Sequence, residues 1–321
     1  MSEKNDKKTT IPRLDSHRVW IVRIICCISG ILLAGIILGT TLFVRIGKMS
    51  GWNMQGKRAD VYTDGQIDKF ITSVLITVQN QPMSQGIAPA DMVFIASFNA
   101  FEQRLTMVSL ADGLLAEVEG HGKKTLGETY ALGGAELLID TLNKNFNLGL
   151  HNYASTDTHS LALMLDLLGG VKTELTEDEA GYIAEALGEQ AGAVQAGANT
   201  LSGVQGMVHA LDNLSDDRPF GNLERRVALI HSVVFNMRKT ATKDAMFPLL
   251  SLVFSNIQTN LSLATLQDCG YEILKAEEIE YRSLILPPAG SGEAGSQMST
   301  EFSSDILRDG KLLREALYNT K

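Results

Sequence analysis

The sequence contains few cysteines and few histidines. Among 321 residues there are 3 cysteines and 6 histidines, and none of them has zinc-finger spacing. So few cysteines exclude a small domain held together by disulfides. The chain is 45% hydrophobic and 20% charged, which is too apolar for a disordered protein and too mixed for a membrane protein with several spans. We therefore expect a globular protein, with room for about two average domains or one large domain and an appendage.

Basic residues are scarce relative to acidic ones. The formal net charge is −9, so the chain lacks the general basic face that pairs with phosphates, and we predict no nucleic-acid partner. The charge is divided unevenly, because residues 1–50 carry a net charge of +5 and the remainder carries −14. The chain therefore consists of a basic N-terminal segment and a long acidic part.

Long uncharged hydrophobic runs are limited to one candidate membrane span. Residues 24–44 are 21 consecutive uncharged residues, and a helix of this length just covers a hydrocarbon core of about 30 Å. A soluble helix would show a polar stripe, which this segment lacks. We predict a single-pass membrane anchor at residues 24–44. The flanking basic residues slightly favour a cytoplasmic tail at residues 1–23 and an extracytoplasmic C-terminal part.

Beyond the anchor, the pattern predicts one folded domain with flanking segments. Residues 45–88 are polar and form a linker or accessory segment, with a short stretch of secondary structure around residues 70–78. Strands are predicted at 92–98, 105–110, 151–156 and 171–175. Helices are predicted after Gly133-Gly134, at 161–168, from a capping box at 176–179, after Asn199, and at 220–239, 245–258 and 306–318. Interleaved strands and helices indicate an α/β or α+β sandwich with a central sheet. We place the domain at residues 89–286, and a flexible stretch with a C-terminal helix at residues 287–321.

Six short segments of the sequence stand in an order and spacing that resemble those of a known family. They are Ala90-Asp-Met-Val-Phe-Ile95, Val108-Ser-Leu-Ala-Asp112, Thr129-Tyr-Ala-Leu-Gly-Gly134, Leu163-Met-Leu-Asp-Leu-Leu-Gly-Gly-Val171, Leu201-Ser-Gly-Val-Gln205 and Phe220-Gly-Asn-Leu-Glu-Arg-Arg226. The segments are similar to motifs of the LytR-CpsA-Psr family of cell-wall polymer ligases. Together they make the chain resemble this family over nearly its whole length. The resemblance implies an α/β fold, a three-layer α/β/α sandwich with a central mixed sheet, preceded by one transmembrane helix.

The resemblance also implies a function at the bacterial cell membrane. The family transfers glycopolymers from a polyprenyl-pyrophosphate carrier to peptidoglycan, with magnesium as cofactor, arginines on the pyrophosphate and an apolar tunnel for the lipid tail. The implied partners are the membrane, a polyprenyl-linked glycan or another isoprenoid lipid, and peptidoglycan. Such phosphoryl transfer requires positive charge around a developing anion and carboxylates that hold the metal.

The resemblance assigns candidate site residues at matching positions. Asp91 and Asp112 are predicted to hold magnesium, and Asp112 and Arg225 are the predicted catalytic residues. The predicted pyrophosphate ligands are Arg225, Arg226 and Arg218, with Arg226 standing where the family has glutamine. Asp91 precedes one predicted strand and Asp112 follows the next, so antiparallel pairing would bring both to one edge of the sheet. A shared magnesium ion requires that they lie within about 10 Å of each other.

Several of the family's basic residues are replaced in this chain. Ala111, Leu211, Asn213 and Asn222 stand at positions where the resemblance implies arginine. Each charge-assisted arginine–phosphate pair contributes roughly 1.5–3 kcal/mol, so losing several weakens pyrophosphate binding by orders of magnitude. The chain is therefore either a diverged ligase or a catalytically degenerate domain that binds a lipid or glycan or has a regulatory function.

The residues themselves leave two interpretations open for each candidate group. Asp91 and Asp112 are either metal ligands or strand-end carboxylates that face solvent. Arg225 and Arg226 either contact phosphate or are one arginine in a buried pair and one solvated arginine on a helix. We also predict an apolar cavity between sheet and helices, lined from residues 137–146 and 161–168, to which a filled core is the alternative.

Overall fold

The computed structural model describes residues 70–212, 221–240, 256–262, 265, 278–288, 302–303 and 305–318. The strands are β1 (Ile71–Gln79), β2 (Ala90–Asn99), β3 (Arg104–Leu110), β4 (Leu114–Val118), β5 (Gly122–Thr125), β6 (Asn152–Asp157), β7 (Val171–Leu175), β8 (Gly197–Leu201), β9 (Gln258–Thr259), β10 (Glu280–Leu286) and β11 (Phe302–Ser303). The helices are α1 (Leu126–Phe146), α2 (Thr158–Leu167), α3 (Glu177–Leu187), α4 (Gly203–Leu211), α5 (Gly221–Thr240) and α6 (Ile306–Tyr318). Short 3₁₀ turns lie at Met83–Gln85 and Gly188–Ala191.

A mixed six-stranded sheet forms the centre of the domain, in the order β10-β3-β2-β1-β6-β9. The pairs β1–β2, β2–β3 and β6–β9 are antiparallel, whereas β1–β6 and β3–β10 are parallel. Two smaller sheets accompany it, β11-β4-β5 and the antiparallel pair β7-β8. The ends of β1, β3, β6 and β10 and the beginning of β2 therefore share one edge of the central sheet.

Helices cover both faces of this sheet. Along β2, Val93 and Ile95 belong to one buried cluster, and Met92 and Phe94 to another, as expected where successive side chains point to opposite faces. The first cluster contains residues of α1 and α6, and the second contains residues of α2, α4 and α5. The predicted mixed α/β fold with a central mixed sheet is thus confirmed, with helical layers on both sides.

This layering shows that the predicted lining of the apolar cavity is wrong. Leu138 and Leu142 of α1 lie in the first cluster, whereas Leu161 and Leu165 of α2 lie in the second. Residues 137–146 and 161–168 therefore pack on opposite faces of the sheet. They cannot line one cavity, because the strands lie between them.

The folded domain extends past both of its predicted limits. β1 pairs with β2 on one side and β6 on the other, so the sheet includes residues from the segment predicted as a linker at 45–88. At the other end, α6 packs on the core with Leu313 and Leu317, and Arg314 Nη1 donates to the Phe146 carbonyl at 2.7 Å. A start at residue 89 would remove a middle strand of the sheet, and an end at residue 286 would expose the face covered by α6.

The Gly133-Gly134 pair marks the predicted start of a helix and is observed as a kink within α1. Gly134 has φ +65°, and both glycines have non-helical dihedral angles. The part of α1 before the kink begins at a capping box, in which Glu128 N donates to Thr125 Oγ1 at 3.1 Å. The pair therefore separates two helical segments. Glycine is favoured at Gly134 because its φ is positive.

Two predicted helices fall wholly or largely outside the described residues. No helix in the described part of the chain is both long and apolar enough to cross a membrane. The predicted anchor at residues 24–44 lies outside that part, as does nearly all of the predicted helix at 245–258.

Candidate functional site

The two candidate aspartates lie at the same edge of the central sheet. Val93 of β2 pairs with Leu110 of β3, so two further residues along each antiparallel strand bring Asp91 opposite Asp112. Burial raises the pKa of Asp91 above its usual value, and the nearby charge of Asp112 raises it further, while the charge of Arg226 opposes the shift. The predicted convergence of the two aspartates at one edge is confirmed.

Close backbone contacts shape this edge around Asp112. The first turn of α1 meets it, because Gly127 N donates to the Asp112 carbonyl at 2.9 Å. A Cβ atom on Gly127 would lie 2.8 Å from the Ala90 carbonyl oxygen, so only glycine allows this approach. The end of β10 also contributes, because Ala111 N donates to the Leu286 carbonyl at 2.8 Å. Two elements, α1 and β10, therefore hold the turn that carries Asp112.

Arg226 brings a positive charge to the aspartates. Its Nη1 donates to Asp112 Oδ1 at 2.7 Å, and the Arg226 side chain is 3% exposed while that of Asp112 is 42% exposed. Its Nε lies at a longer distance, 3.4 Å, from the Ala210 carbonyl oxygen. Two carboxylates and one guanidinium thus form a half-buried cluster with a formal charge of −1. We call Asp91, Asp112 and Arg226 the edge cluster.

Arg225 makes its contacts within a different, buried cluster. Its Nε donates to the His209 carbonyl at 2.9 Å, and its Nη1 lies 3.3 Å from Glu179 Oε1. Its Nη2 donates to the Asp212 carbonyl and lies 4.0 Å from the carboxylate of Asp212. We call Arg225, Glu179, His209 and Asp212 the interhelical cluster, because it joins α3, the end of α4 and α5.

Both arginines are therefore buried in ion pairs with the protein itself. The interpretation that one of them is solvated on the helix surface is wrong, because Arg225 is 6% and Arg226 3% exposed at the side chain. Only Arg226 faces the candidate metal ligands. Pyrophosphate binding and catalysis by Arg225 remain predictions, and Arg218 lies outside the described residues.

Charges within the interhelical cluster depend on one another. Burial raises the pKa of Glu179, but the Thr176 backbone hydrogen bond and the neighbouring His209 and Arg225 outweigh it, so the net shift is downward. Burial lowers the pKa of His209, more strongly than Glu179 raises it. His209 Nε2 lies 3.3 Å from Glu179 Oε1 without the alignment of a hydrogen bond, which agrees with a neutral imidazole.

A neutral His209 predicts acid sensitivity of the fold. Because its folded pKa lies below the unfolded value of 6.5, its contribution to stability is complete above that pH and is lost as the pH falls through the folded pKa. We expect the unfolding free energy, measured by urea titration, to fall less between about pH 7 and about pH 5 in His209→Gln than in the unmodified chain. The exposed His159 provides the control, since His159→Gln should keep the original pH slope. Parallel slopes in all three proteins would contradict this assignment.

The positions of the replaced arginines have lost their charge. Ala111 is buried in the first core cluster, and Leu211 packs against the second. Asn222 is half-buried in the first turn of α5, and Asn213 lies outside the described residues. At Ala111 and Leu211 the replacement side chains are thus part of the hydrophobic packing.

The edge cluster fits a magnesium–phosphate complex better than a metal cage made by the protein alone. Within the residues that the structure describes, no group of three or more His, Cys, Asp or Glu side chains could hold a metal ion. Magnesium, however, is commonly bound through one or two carboxylates together with waters and substrate phosphates. Asp91 and Asp112 could supply these two carboxylates, and their mutual repulsion is what a divalent cation would relieve.

Glu179, His209 and Asp212 were missed as a cluster when the sequence was interpreted alone. Glu179 was predicted only as a capping residue, and its Oε2 does accept from Thr176 N at 2.9 Å. Its other oxygen faces Arg225. The sequence contained one signal of this cluster: Glu179 stands four residues before the apolar Ile183, so both lie on the same face of α3. The structure shows that this face is buried.

Comparisons with known proteins agree on one family. The LytR_cpsA_psr family model matches residues 53–305. The chain is 25% identical over 198 residues to the polyisoprenyl-teichoic acid–peptidoglycan teichoic acid transferase TagU of Enterococcus faecalis, covering 60% of this chain and 59% of TagU. It is 23% identical over 235 residues to the regulatory protein MsrR of Staphylococcus aureus, covering 73% of this chain and 68% of MsrR.

A solved structure shares the fold. The LytR-CPS2A-psr family protein YwtF (TagT), from Bacillus subtilis, with bound octaprenyl pyrophosphate lipid, superposes with a TM-score of 0.59. The match covers 83% of this chain and 98% of that chain at 17% sequence identity. At this identity the likeness shows the fold alone.

Proposed function

We propose, because the chain belongs to the LytR_cpsA_psr family, that it attaches a polyprenyl-pyrophosphate-linked glycopolymer to the cell wall. The observation that carries the proposal is the edge cluster, in which Asp91, Asp112 and Arg226 meet at one edge of the sheet. TagU is named for transfer of teichoic acid to peptidoglycan, and TagT has been solved with octaprenyl pyrophosphate. Carboxylates beside a guanidinium match what transfer of a phosphorylated glycan requires.

In this proposal a hydroxyl group of peptidoglycan attacks the phosphorus that carries the glycan. The bond between that phosphorus and the bridging oxygen breaks, and polyprenyl phosphate leaves with the bonding electrons and takes up the proton that the hydroxyl group loses. Magnesium bound by Asp91 and Asp112 would neutralise charge that develops on the phosphate oxygens. Arg226 supplies a protein cation 2.7 Å from Asp112 Oδ1, and the partly exposed Asp112 lies where substrate can reach it.

Arg225 has a positioning role in the proposed mechanism. It precedes Arg226 on α5, and its hydrogen bonds tie the beginning of α5 to the end of α4 and to α3. Because these contacts fix the helix, they also fix the direction in which Arg226 leaves it. The predicted catalytic function of Arg225 is thus proposed to act through Arg226.

A second candidate function is supported by the residues that replace the arginines. Ala111 and Leu211 contribute apolar packing where the resemblance implies basic side chains. A domain with this loss would bind a lipid or glycan, or regulate, without transferring the polymer. The two candidates differ in whether pyrophosphate binding depends on magnesium.

Binding of a polyprenyl pyrophosphate to the full-length chain in detergent tests the two candidates. For a transferase, we expect magnesium to raise the affinity and Asp112→Ala to remove that magnesium-dependent gain, because the substitution deletes a metal ligand. Asp178→Ala, at an exposed position in the first turn of α3, should keep the gain. Binding that is independent of magnesium would favour the binding or regulatory domain, and no binding would contradict both lipid-dependent functions.

The proposed substrate is confined to a membrane, so we propose that residues 24–44 anchor the chain and that residues from about 49 onward lie outside the cell. The 21 uncharged residues of this segment support the proposal. Protease added to intact cells without an outer barrier is expected to degrade the C-terminal part. Full protection of that part would contradict this topology.

A further inference from the structure

One of the two carboxylates in the edge cluster is already paired with a cation, Arg226. Its Nη1 lies 2.7 Å from Asp112 Oδ1, at a carboxylate that the proposed function assigns to magnesium. We propose that Arg226 occupies the divalent-cation position at Asp112, so that a metal ion enters this site only together with an anionic phosphate. The inference rests on the proposed function for the identity of the phosphate, but not for the competition between guanidinium and metal.

The charges in the cluster show why Arg226 opposes binding of metal alone. Asp91, Asp112 and Arg226 sum to −1, and a divalent cation would change this to +1 in a half-buried site. An excess positive charge is unfavourable there unless an anion joins it. Without Arg226, the two carboxylates would balance the divalent cation completely. The arginine therefore makes binding of metal and phosphate mutually dependent, and such coupling is reciprocal.

The contacts of Arg226 allow it to exchange partners. Among the residues that the structure describes, Arg226 makes one further hydrogen bond besides that to Asp112, the 3.4 Å contact from Nε to the Ala210 carbonyl, which is long for a hydrogen bond. Arg225, in contrast, donates to the backbone carbonyls of His209 and Asp212 and contacts Glu179. Within the described part of the chain, Arg225 is thus held by several partners, whereas Arg226 is paired mainly with a carboxylate that a metal ion can take over. A phosphate oxygen would then accept from the released guanidinium.

Mn²⁺ binding measures this competition directly. The probe is Mn²⁺ alone, titrated into the full-length chain in detergent, with the free ion followed by electron paramagnetic resonance. We expect Arg226→Gln to bind Mn²⁺ at least about tenfold more tightly than the unmodified chain, because a charge repelling the ion is removed. Arg226→Met should give the same gain. Arg282→Gln is the matched control, since Arg282 pairs with Glu280 at an exposed position of β10 and should leave Mn²⁺ affinity unchanged.

The site of the gained metal is tested by a second substitution. Asp112→Asn added to Arg226→Gln is expected to reverse the gain, because it deletes the carboxylate that Arg226 had occupied. Thermal unfolding of each variant shows whether it is folded. If Arg226→Gln does not fold, the Mn²⁺ affinity of Arg226→Met is measured in its place.

Three results would overturn the inference. The first is Mn²⁺ affinity that does not rise in a folded Arg226 variant, and the second is a gain that survives Asp112→Asn. The third is a gain seen with glutamine but not with methionine, because the new amide would then be the ligand. A gain at Asp112 in a chain that transfers no glycopolymer would contradict the proposed function and leave this inference standing.

Discussion

Replacing Gly203 with alanine is expected to lower the unfolding free energy by roughly 4 kcal/mol or more, which is a large effect for the addition of one methyl group. Gly203 is the first residue of α4, where it meets α2. A Cβ atom on it would lie 1.9 Å from the Ala162 carbonyl oxygen and 2.5 Å from the Ala162 carbonyl carbon. Both are backbone atoms, so no side-chain rotation relieves the clash and the two helices must separate.

The same separation would break a directed contact between α2 and α4. Gly203 N donates to Asp166 Oδ1 at 2.7 Å, and this bond requires the close approach that the absent Cβ allows. Natural domains are stable by about 5–15 kcal/mol, so Gly203→Ala should leave a large unfolded or insoluble fraction. Chemical denaturation, or expression yield if the variant does not fold, measures the loss.

Gly181 provides the matched control for Gly203. It lies inside α3 on an exposed face, and a Cβ atom there would meet nothing within 4 Å. Gly181→Ala is expected to stabilise the protein by roughly 0.5–1 kcal/mol, because alanine loses less backbone entropy in a helix. Equal stability of the two variants would show that the α2–α4 contact is looser than described.

Replacing Arg225 with methionine is expected to destabilise the fold by about 3–5 kcal/mol. The substitution leaves Glu179 and Asp212, with side chains 8% and 0% exposed, without their buried guanidinium partner. It also removes the donors that satisfy the carbonyls of His209 and Asp212. Unpaired buried charges and unsatisfied carbonyls both carry a desolvation cost.

An exposed ion pair supplies the control for Arg225→Met. Arg282 and Glu280 are each half-exposed and 2.7 Å apart, so Arg282→Met should cost less than about 1 kcal/mol. Thermal and urea unfolding measure both variants. If Arg225→Met were as stable as the unmodified chain but had lost pyrophosphate binding, Arg225 would be a direct ligand and its positioning role would be wrong.

The positions of the two arginines on α5 explain why these neighbouring residues have different contacts. Successive residues of a helix point about 100° apart, so Arg225 and Arg226 cannot face the same partner. Arg225 faces α3 and the end of α4, whereas Arg226 faces the edge of the sheet. The interhelical cluster and the edge cluster are therefore linked through one turn of α5.

Local patterns in the sequence were sufficient to predict most strands and helices, and to predict that the two aspartates meet at one edge of the sheet. β2 and β3 were predicted within one or two residues, because both are short hydrophobic runs separated by a polar turn. A short turn enforces antiparallel pairing, so the convergence of Asp91 and Asp112 follows from the sequence. The capping box at Thr176 likewise marks the beginning of α3 from side chains within four residues.

The sequence was insufficient where partners are distant along the chain. β1 was predicted only as a short stretch of secondary structure within a linker, because a strand covered on both faces lacks the alternation of a half-exposed one. The predicted cavity lining was wrong because helical periodicity shows which side of a helix is apolar but not which face of the sheet that side covers.

Local pattern thus determined an α/β or α+β sandwich with a central sheet and most of its elements, and the resemblance to the family added the three-layer α/β/α class and the two carboxylates. Tertiary structure alone decided what the arginines contact, because Glu179 lies 46 residues from Arg225 and Asp112 lies 114 residues from Arg226. The residues that flank a charged side chain in the sequence do not reveal its partner, since the ion pair forms only when separate elements pack. The choice between binding phosphate and binding a buried carboxylate is made by that packing, and here it places one arginine within the helical layer and the other at the candidate site.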